Sequence, residues 1–151
     1  MHKIVIATGG FDPIHSGHIK YLNEAAKLGD LLVVGVNSDE WLRRKKGCEF
    51  LPWSERSFIV QNLKPVSRVF AFNDNDNSAR DVIKIVREHY IRSKIIFANG
   101  GDRTEANIPE MDIEDVNIEF VFGVGGWSKD NSSSNILKNY SNNLKNYEHK
   151  N

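Results

Sequence analysis

Five short runs of apolar and β-branched residues punctuate the chain: KIVIA (3–7), LLVVGV (31–36), RVFAF (68–72), KIIFA (94–98) and IEFVFGV (118–124). Each is nearly continuously apolar and bounded by Gly, Asn or Asp, the pattern of a strand buried on both faces of a parallel sheet. Between the runs, apolar positions recur at helical spacing. In 17–28, Ile19, Leu22, Ala25, Ala26 and Leu28 share one face, and Gly29 provides the stop. A second helix is predicted over 53–63, entered through Pro52. A third spans 78–90, with Ser78 as its N-cap and Val82, Ile85, Val86 and His89 on the buried side. Strand and helix alternate, as in βαβ units with right-handed crossovers. The predicted fold is α/β: a Rossmann-like, open, five-stranded parallel sheet with helices on both faces. Ligands of such sheets bind beyond the carboxyl ends of the strands, where the strand order reverses.

At 151 residues, 40% of them hydrophobic, the chain suits one domain, expected over 1–138. The Asn- and Lys-rich 139–151 reads as the end of a helix begun near Ser134 or as a mobile tail. Twenty basic residues balance twenty acidic ones. No global charge therefore argues for nucleic acid or a membrane surface, and any phosphate binding must be local. A single cysteine, Cys48, forms no internal disulfide, no export signal precedes the first strand, and no apolar stretch has the length of a membrane span. A cytoplasmic protein is expected.

The chemistry concentrates in GGFDPIHSGH, directly behind the first strand. Gly9 and Gly10 allow a tight turn and close approach of backbone amides to an anion. Ser16 is placed to cap a helix starting at Gly17 or His18, whose free amides carry partial positive charge. His15 and His18, three residues apart, lie on one side of the first turn, where each can donate to a phosphate oxygen. Gly17 leaves room for a flat base. An isolated histidine pair is ordinarily a surface feature, and no second cluster completes a tetrahedral metal site. The strand, the glycines, the cap and the two imidazoles together fit a phosphate cradle.

From GGFDPIHSGH through LGDLLVVGVNSDEWLRRKKG, the sequence resembles the HxGH nucleotidyltransferase superfamily, specifically its cytidylyltransferase-like members. These include glycerol-3-phosphate and ethanolamine-phosphate cytidylyltransferases and heptose-1-phosphate adenylyltransferases. The resemblance covers residues 3 to about 138. It implies transfer of a nucleoside monophosphate from ATP or CTP to a phosphorylated sugar, polyol or alcohol, with release of pyrophosphate. Catalysis would then rest on positioning and charge stabilisation rather than on a protein nucleophile. The resemblance assigns His15 and His18 to the triphosphate and the transition state, and Thr8, Gly9, Gly10 and Phe11 to the phosphate-side loop. Asp12 matches the acidic position of that loop, where structural or substrate-orienting work stands beside chemistry as an alternative. Lys46, with Lys45 beside it, matches a mobile lysine, although RRKK by itself reads as a solvated basic run. Arg56 matches an arginine that either pairs with a carboxylate or contacts phosphate.

Behind the fourth predicted strand, Gly100, Gly101 and Asp102 match a Gly-Asp segment facing base or ribose, while Arg103 either serves the second substrate's phosphate or pairs with Glu105. Ser132, Ser133 and Ser134 precede a helix, where hydroxyls and free amides form a second anion site; one of them could equally serve as a plain N-cap. The cytidylyltransferases' Arg-Thr-Glu-Gly run is missing: Trp127 occupies the arginine's place and Lys129 is the available substitute. The SSSNIL, NGGD and LGDLLVVGVNSD segments favour the heptose-phosphate adenylyltransferase side, and hence ATP over CTP. The resemblance further implies Mg2+ and a homodimer. A cytidylyltransferase of the glycerol-3-phosphate type and a catalytically silent nucleotide-binding module remain alternatives.

Overall fold

In a computed structural model of the chain, the described residues are 2–101, 103–104, 107–115, 117–126 and 132–150. The elements run β1 (Lys3–Gly9), α1 (Ser16–Ala26), β2 (Leu31–Val36), α2 (Asp39–Lys46), α3 (Trp53–Gln61), β3 (Arg68–Phe70), α4 (Arg80–His89), β4 (Lys94–Gly100), a 3-10 turn (Pro109–Asp112), β5 (Ile118–Val124) and α5 (Ser133–Lys150). All five strands pair in parallel, in the order β3-β2-β1-β4-β5. The expected open parallel sheet is therefore present. Its order reverses between β1 and β4, so the carboxyl ends of these two strands frame the crevice where a ligand belongs.

The continuous apolar runs are explained by two cores, one on each face. Val5, Ala7, Leu32, Val34 and Val36 meet Leu22 and Ala25 of α1 and Val60 of α3. Ile4, Ile6, Val33, Ile95 and Phe97 meet Val82, Ile83 and Val86 of α4. Alternate residues of one strand thus face opposite helical layers. Each fully buried Val, Leu or Ile side chain contributes roughly 1.5–3 kcal/mol. Among the described residues, no helix is long and apolar enough to cross a membrane.

Several local expectations are corrected. The cap of α1 is His15 rather than Ser16, and the helix closes at Lys27. Ser78 is not the N-cap of α4; Ala79 is, although the Ser78 hydroxyl still accepts the N–H of Arg80 at 3.3 Å. His89 is exposed, and Ile83 takes the buried place instead. For the segment beyond residue 138, the helix-end alternative is the one present: α5 begins at Ser133 and runs to Lys150. The helix α2 was not anticipated because it buries only Leu42 and so has no apolar stripe to read. Its signals are terminal: the Ser38 hydroxyl accepts from Trp41 N, Asp39 and Glu40 begin the helix, four cations end it, and Gly47 stops it at φ +96°.

The turn after α1 is held by close backbone contact. Asp30 N donates to Lys3 O at 2.8 Å, and a Cβ on Gly29 would lie 2.7 Å from that same carbonyl and 2.8 Å from Val5 Cγ2. The strand backbone cannot give way as a side-chain tip could. Gly29→Ala is expected to destabilise the fold by about 1–3 kcal/mol. In urea this would show as a lower midpoint at unchanged slope; an unshifted midpoint would contradict the contact.

Candidate active site

Thr8 and Gly9 close β1 rather than lying in a loop, and the expected turn falls on Phe11 at φ +52°, not on the glycines. Glycine is required at 10 for space: a Cβ there would come within 2.9 Å of Leu42 Cδ2 and 3.3 Å of the Trp41 ring. The turn at Gly10, ahead of α1, therefore packs directly on α2. Phe11, 2% exposed, anchors this turn in the core and meets the His18 ring edge-on at 5.0 Å.

The two histidines cap α1 reciprocally. Gly17 N donates to His15 Nδ1 at 3.0 Å, and His15 N donates to His18 Nδ1 at 3.2 Å. A main-chain N–H can only donate, so each Nδ1 acts as acceptor and each neutral ring carries its proton on Nε2. The rings stack with centroids 3.9 Å apart. The result is two adjacent Nε2–H donors at a helix N-terminus, the geometry and polarity that suit phosphate oxygens.

At the other end of the chain, Ser133 Oγ donates to Pro13 O at 2.8 Å, across 120 residues of sequence. Ser132 Oγ accepts from Asn135 N and so caps α5, while Ser134 is exposed. The cap role thus falls on Ser132, and Ser133 fastens the first turn of α5 to the loop that leads into His15 and α1.

The basic candidates divide. Arg56 is 1% exposed, and its guanidinium donates to Leu51 O (2.9 Å), Gly10 O (2.8 Å), Asn37 O (2.7 Å) and Asp39 Oδ1 (2.6 Å). A phosphate contact is excluded for a side chain so enclosed; Arg56 fixes the backbone behind the motif. Asp12 is likewise internal, accepting from Phe50 N at 2.6 Å and Leu51 N at 2.7 Å. Lys46 lies 3.1 Å from Asp12 Oδ2 and also donates to the Asp12 carbonyl. Lys45 sits over the Trp41 ring, 4.7 Å from its centroid.

On the β4 side, Tyr21 donates to Ala98 O at 2.6 Å. A Cβ on Gly100 would lie 3.0 Å from its ring, so Gly100 lets α1 close onto the strand end. Desolvation pushes the Tyr21 phenol well above its ordinary pKa, and the charge of Arg103 acts in the opposite sense. Gly101 turns the chain at φ +62°, and Arg103 N donates back to Gly100 O at 3.4 Å. Arg103 pairs with Glu110, at 3.2 Å. Asp102, Glu105, Trp127 and Lys129 lie outside the described residues.

Sequence reasoning missed Tyr21, Glu110 and a buried cluster in which Asp74 accepts from Asn37 Nδ2 (3.0 Å), Ser38 N (2.8 Å) and Ser38 Oγ (2.6 Å). Tyr21 meets Ala98 77 residues away, Asn37 meets Asp74 37 away and Ala79 meets Glu110 31 away, beyond the reach of any local pattern, although Glu110 also pairs with Arg103 only 7 residues before it. Among the described residues, no three His, Cys, Asp or Glu side chains gather as a metal cage. A magnesium ion would have to be held chiefly by the oxygens of a triphosphate.

The chain spans 25–28% of the length of the curated relatives named next. It is 34% identical over 144 residues to the bifunctional protein HldE of Pelobacter propionicus, covering 92% of this chain and 28% of that protein. The HldE of Nitratiruptor sp. is 37% identical over 125 residues, 80% of this chain and 25% of that one. Among solved structures, a lipopolysaccharide core biosynthesis protein from Thermoplasma volcanium superposes with a TM-score of 0.62 at 28% identity, over 87% of this chain and 100% of that one. A protein of unknown function from Archaeoglobus fulgidus shares the fold, with a TM-score of 0.55 at 18% identity over 87% of this chain and 96% of its own. The cytidylyltransferase-like family model matches residues 6–138. With nearly the whole sheet and both the histidine and the serine motifs inside that match, the chain belongs to the cytidylyltransferase-like family.

Proposed function

We propose that this protein is a nucleotidyltransferase that moves a nucleoside monophosphate from a triphosphate, ATP in preference to CTP, to a small phosphorylated sugar, polyol or alcohol. The observation that carries the reading is the bond from Ser133 to Pro13. It sets the start of α5 beside the α1 cap, so that two helix N-termini and two Nε2–H donors serve one phosphate site. An oxygen of the acceptor phosphate attacks the α-phosphorus, the bond from that phosphorus to the β-phosphate oxygen breaks, and pyrophosphate leaves. His15, His18 and the helix amides hold the negative charge that grows on the phosphate oxygens. Mg2+ entering with the triphosphate would neutralise further charge. The resemblance of the SSSNIL, NGGD and LGDLLVVGVNSD segments to heptose-phosphate adenylyltransferases supports ATP and a phosphorylated sugar.

The test is pyrophosphate release over a matrix of ATP and CTP against sugar 1-phosphates, glycerol 3-phosphate and ethanolamine phosphate. Turnover with ATP and a sugar phosphate is expected. Turnover with CTP and glycerol 3-phosphate would select the cytidylyltransferase alternative. Tight calorimetric binding of a nucleotide with no turnover would select a silent binding module, a reading favoured by the resting engagement of Lys46 with Asp12. A homodimer, as the family resemblance implies, and a cytosolic location complete the proposal, and light scattering reads the dimer's mass.

A further inference from the structure

Glu110 is a carboxylate with 1% exposure, in a 3-10 turn that the phosphate motifs do not include. One of its oxygens accepts the N–H of Ala79 at 2.9 Å and so caps the N-terminus of α4. The same carboxylate receives Arg103 Nη2 at 3.2 and 3.4 Å. A buried carboxylate requires such compensation, and here it comes from a helix N-terminus on one side and a guanidinium on the other. The arrangement is unequal in exposure: the Arg103 side chain is 38% exposed, against 1% for Glu110. Among the described residues, its side-chain bonds run from Nη2 alone, and all go to Glu110.

Arg103 stands at the strand-order reversal. It follows β4 by three residues, is bonded through its own N–H to Gly100 O, and lies close enough to Tyr21 of α1 for its charge to act on that phenol. A guanidinium tethered at one nitrogen and open along the rest is an oriented anion receptor, because its planar fork loses little freedom on binding. The other cations of the motif differ: Arg56 is wholly enclosed and Lys46 rests on Asp12.

We propose that Arg103 binds a phosphate of the bound substrates and that Glu110, through its double engagement with Arg103 and α4, is the positioning residue that aims it. This rests on the nucleotidyltransferase reading and adds to it a residue from outside the family's phosphate motifs. The phosphate belongs either to the nucleotide or to the acceptor, and the experiment separates the two.

The full chain is titrated calorimetrically, first with α,β-methylene-ATP and then, once saturated, with inorganic phosphate as the probe of the acceptor's phosphate. Arg103→Ala is expected to weaken one of these by about tenfold or more, within the range for a hydrogen bond to a charged group. The titration affected identifies the phosphate. Arg103→Lys should recover part of the loss. Glu110→Gln keeps an oxygen for the Ala79 N–H while losing the ion pair; it should weaken the same titration by several-fold in the wild-type background and not at all in Arg103→Ala. If Arg103→Ala leaves both titrations unchanged, the inference is overturned while the transferase reading stands. If Glu110→Gln acts equally in both backgrounds, its role is structural only. If the analogue does not bind wild-type protein, the transferase reading falls first, and Arg103-dependent binding of phosphate alone would leave an anion site without a transferase.

Discussion

His15→Asn and His18→Gln should each lower kcat for pyrophosphate release by about 10²–10³-fold, the usual cost of losing one preorganised donor at a centre of developing charge. The side chains are chosen to separate chemistry from folding. Asn is among the best N-cap residues, so it can keep the bond that Gly17 N now makes to His15 Nδ1. Gln at the third helical position reaches back to the N-cap N–H, as His18 Nδ1 does to His15 N. Neither variant retains an imidazole Nε2–H. Thermal midpoints should therefore stay near wild type, whereas His15→Ala should also lose about 1 kcal/mol of stability with its cap. If either cap-preserving variant keeps kcat within about threefold of wild type, the assignment of two phosphate donors is wrong.

Arg56→Ala should cost about 3–5 kcal/mol of folding free energy, the range for breaking a buried ion pair by removing one partner. The guanidinium is fully buried and supplies four bonds, three of them to the backbone carbonyls of Gly10 in the histidine motif, Asn37 after β2 and Leu51 before α3. Removing it leaves those carbonyls and Asp39 without their donor. Arg56→Lys restores the charge but not the planar fork, so an intermediate loss is expected. Asp39, 24% exposed, can rehydrate, and Asp39→Asn should cost less than Arg56→Ala. Urea unfolding at constant slope reads all three. A loss below about 1 kcal/mol for Arg56→Ala, with nucleotide binding abolished, would restore the phosphate-contact role that the geometry excludes.

These two expectations fall on residues that looked alike in the sequence, as polar members of one ordered motif set. They separate because burial separates them. His15 and His18 are partly exposed at a helix start, whereas Arg56 is enclosed by the segments it joins. The same division explains Asp12, for which the resemblance left structural work, substrate orientation and chemistry open. Its carboxylate is taken up by Phe50 N, Leu51 N and Lys46, which makes it the clasp between the phosphate loop and the entry to α3.

The sheet was legible because a parallel strand covered on both faces must be apolar at nearly every position, a local and unambiguous signal. The histidine motif was legible because strand, turn, cap and ring donors occupy consecutive residues. By itself, then, the sequence determined the α/β class, the five strands and the place of the histidine motif behind β1. Tertiary structure alone decided which charged groups are free to meet a ligand. That depends on partners distant in the chain: Ser133 on Pro13, Glu110 between Ala79 and Arg103, Arg56 on Gly10 and Asn37. A side chain's chemistry is written in its residue type, but the desolvation and pairing that turn it toward structure or toward substrate arise only when the segments pack.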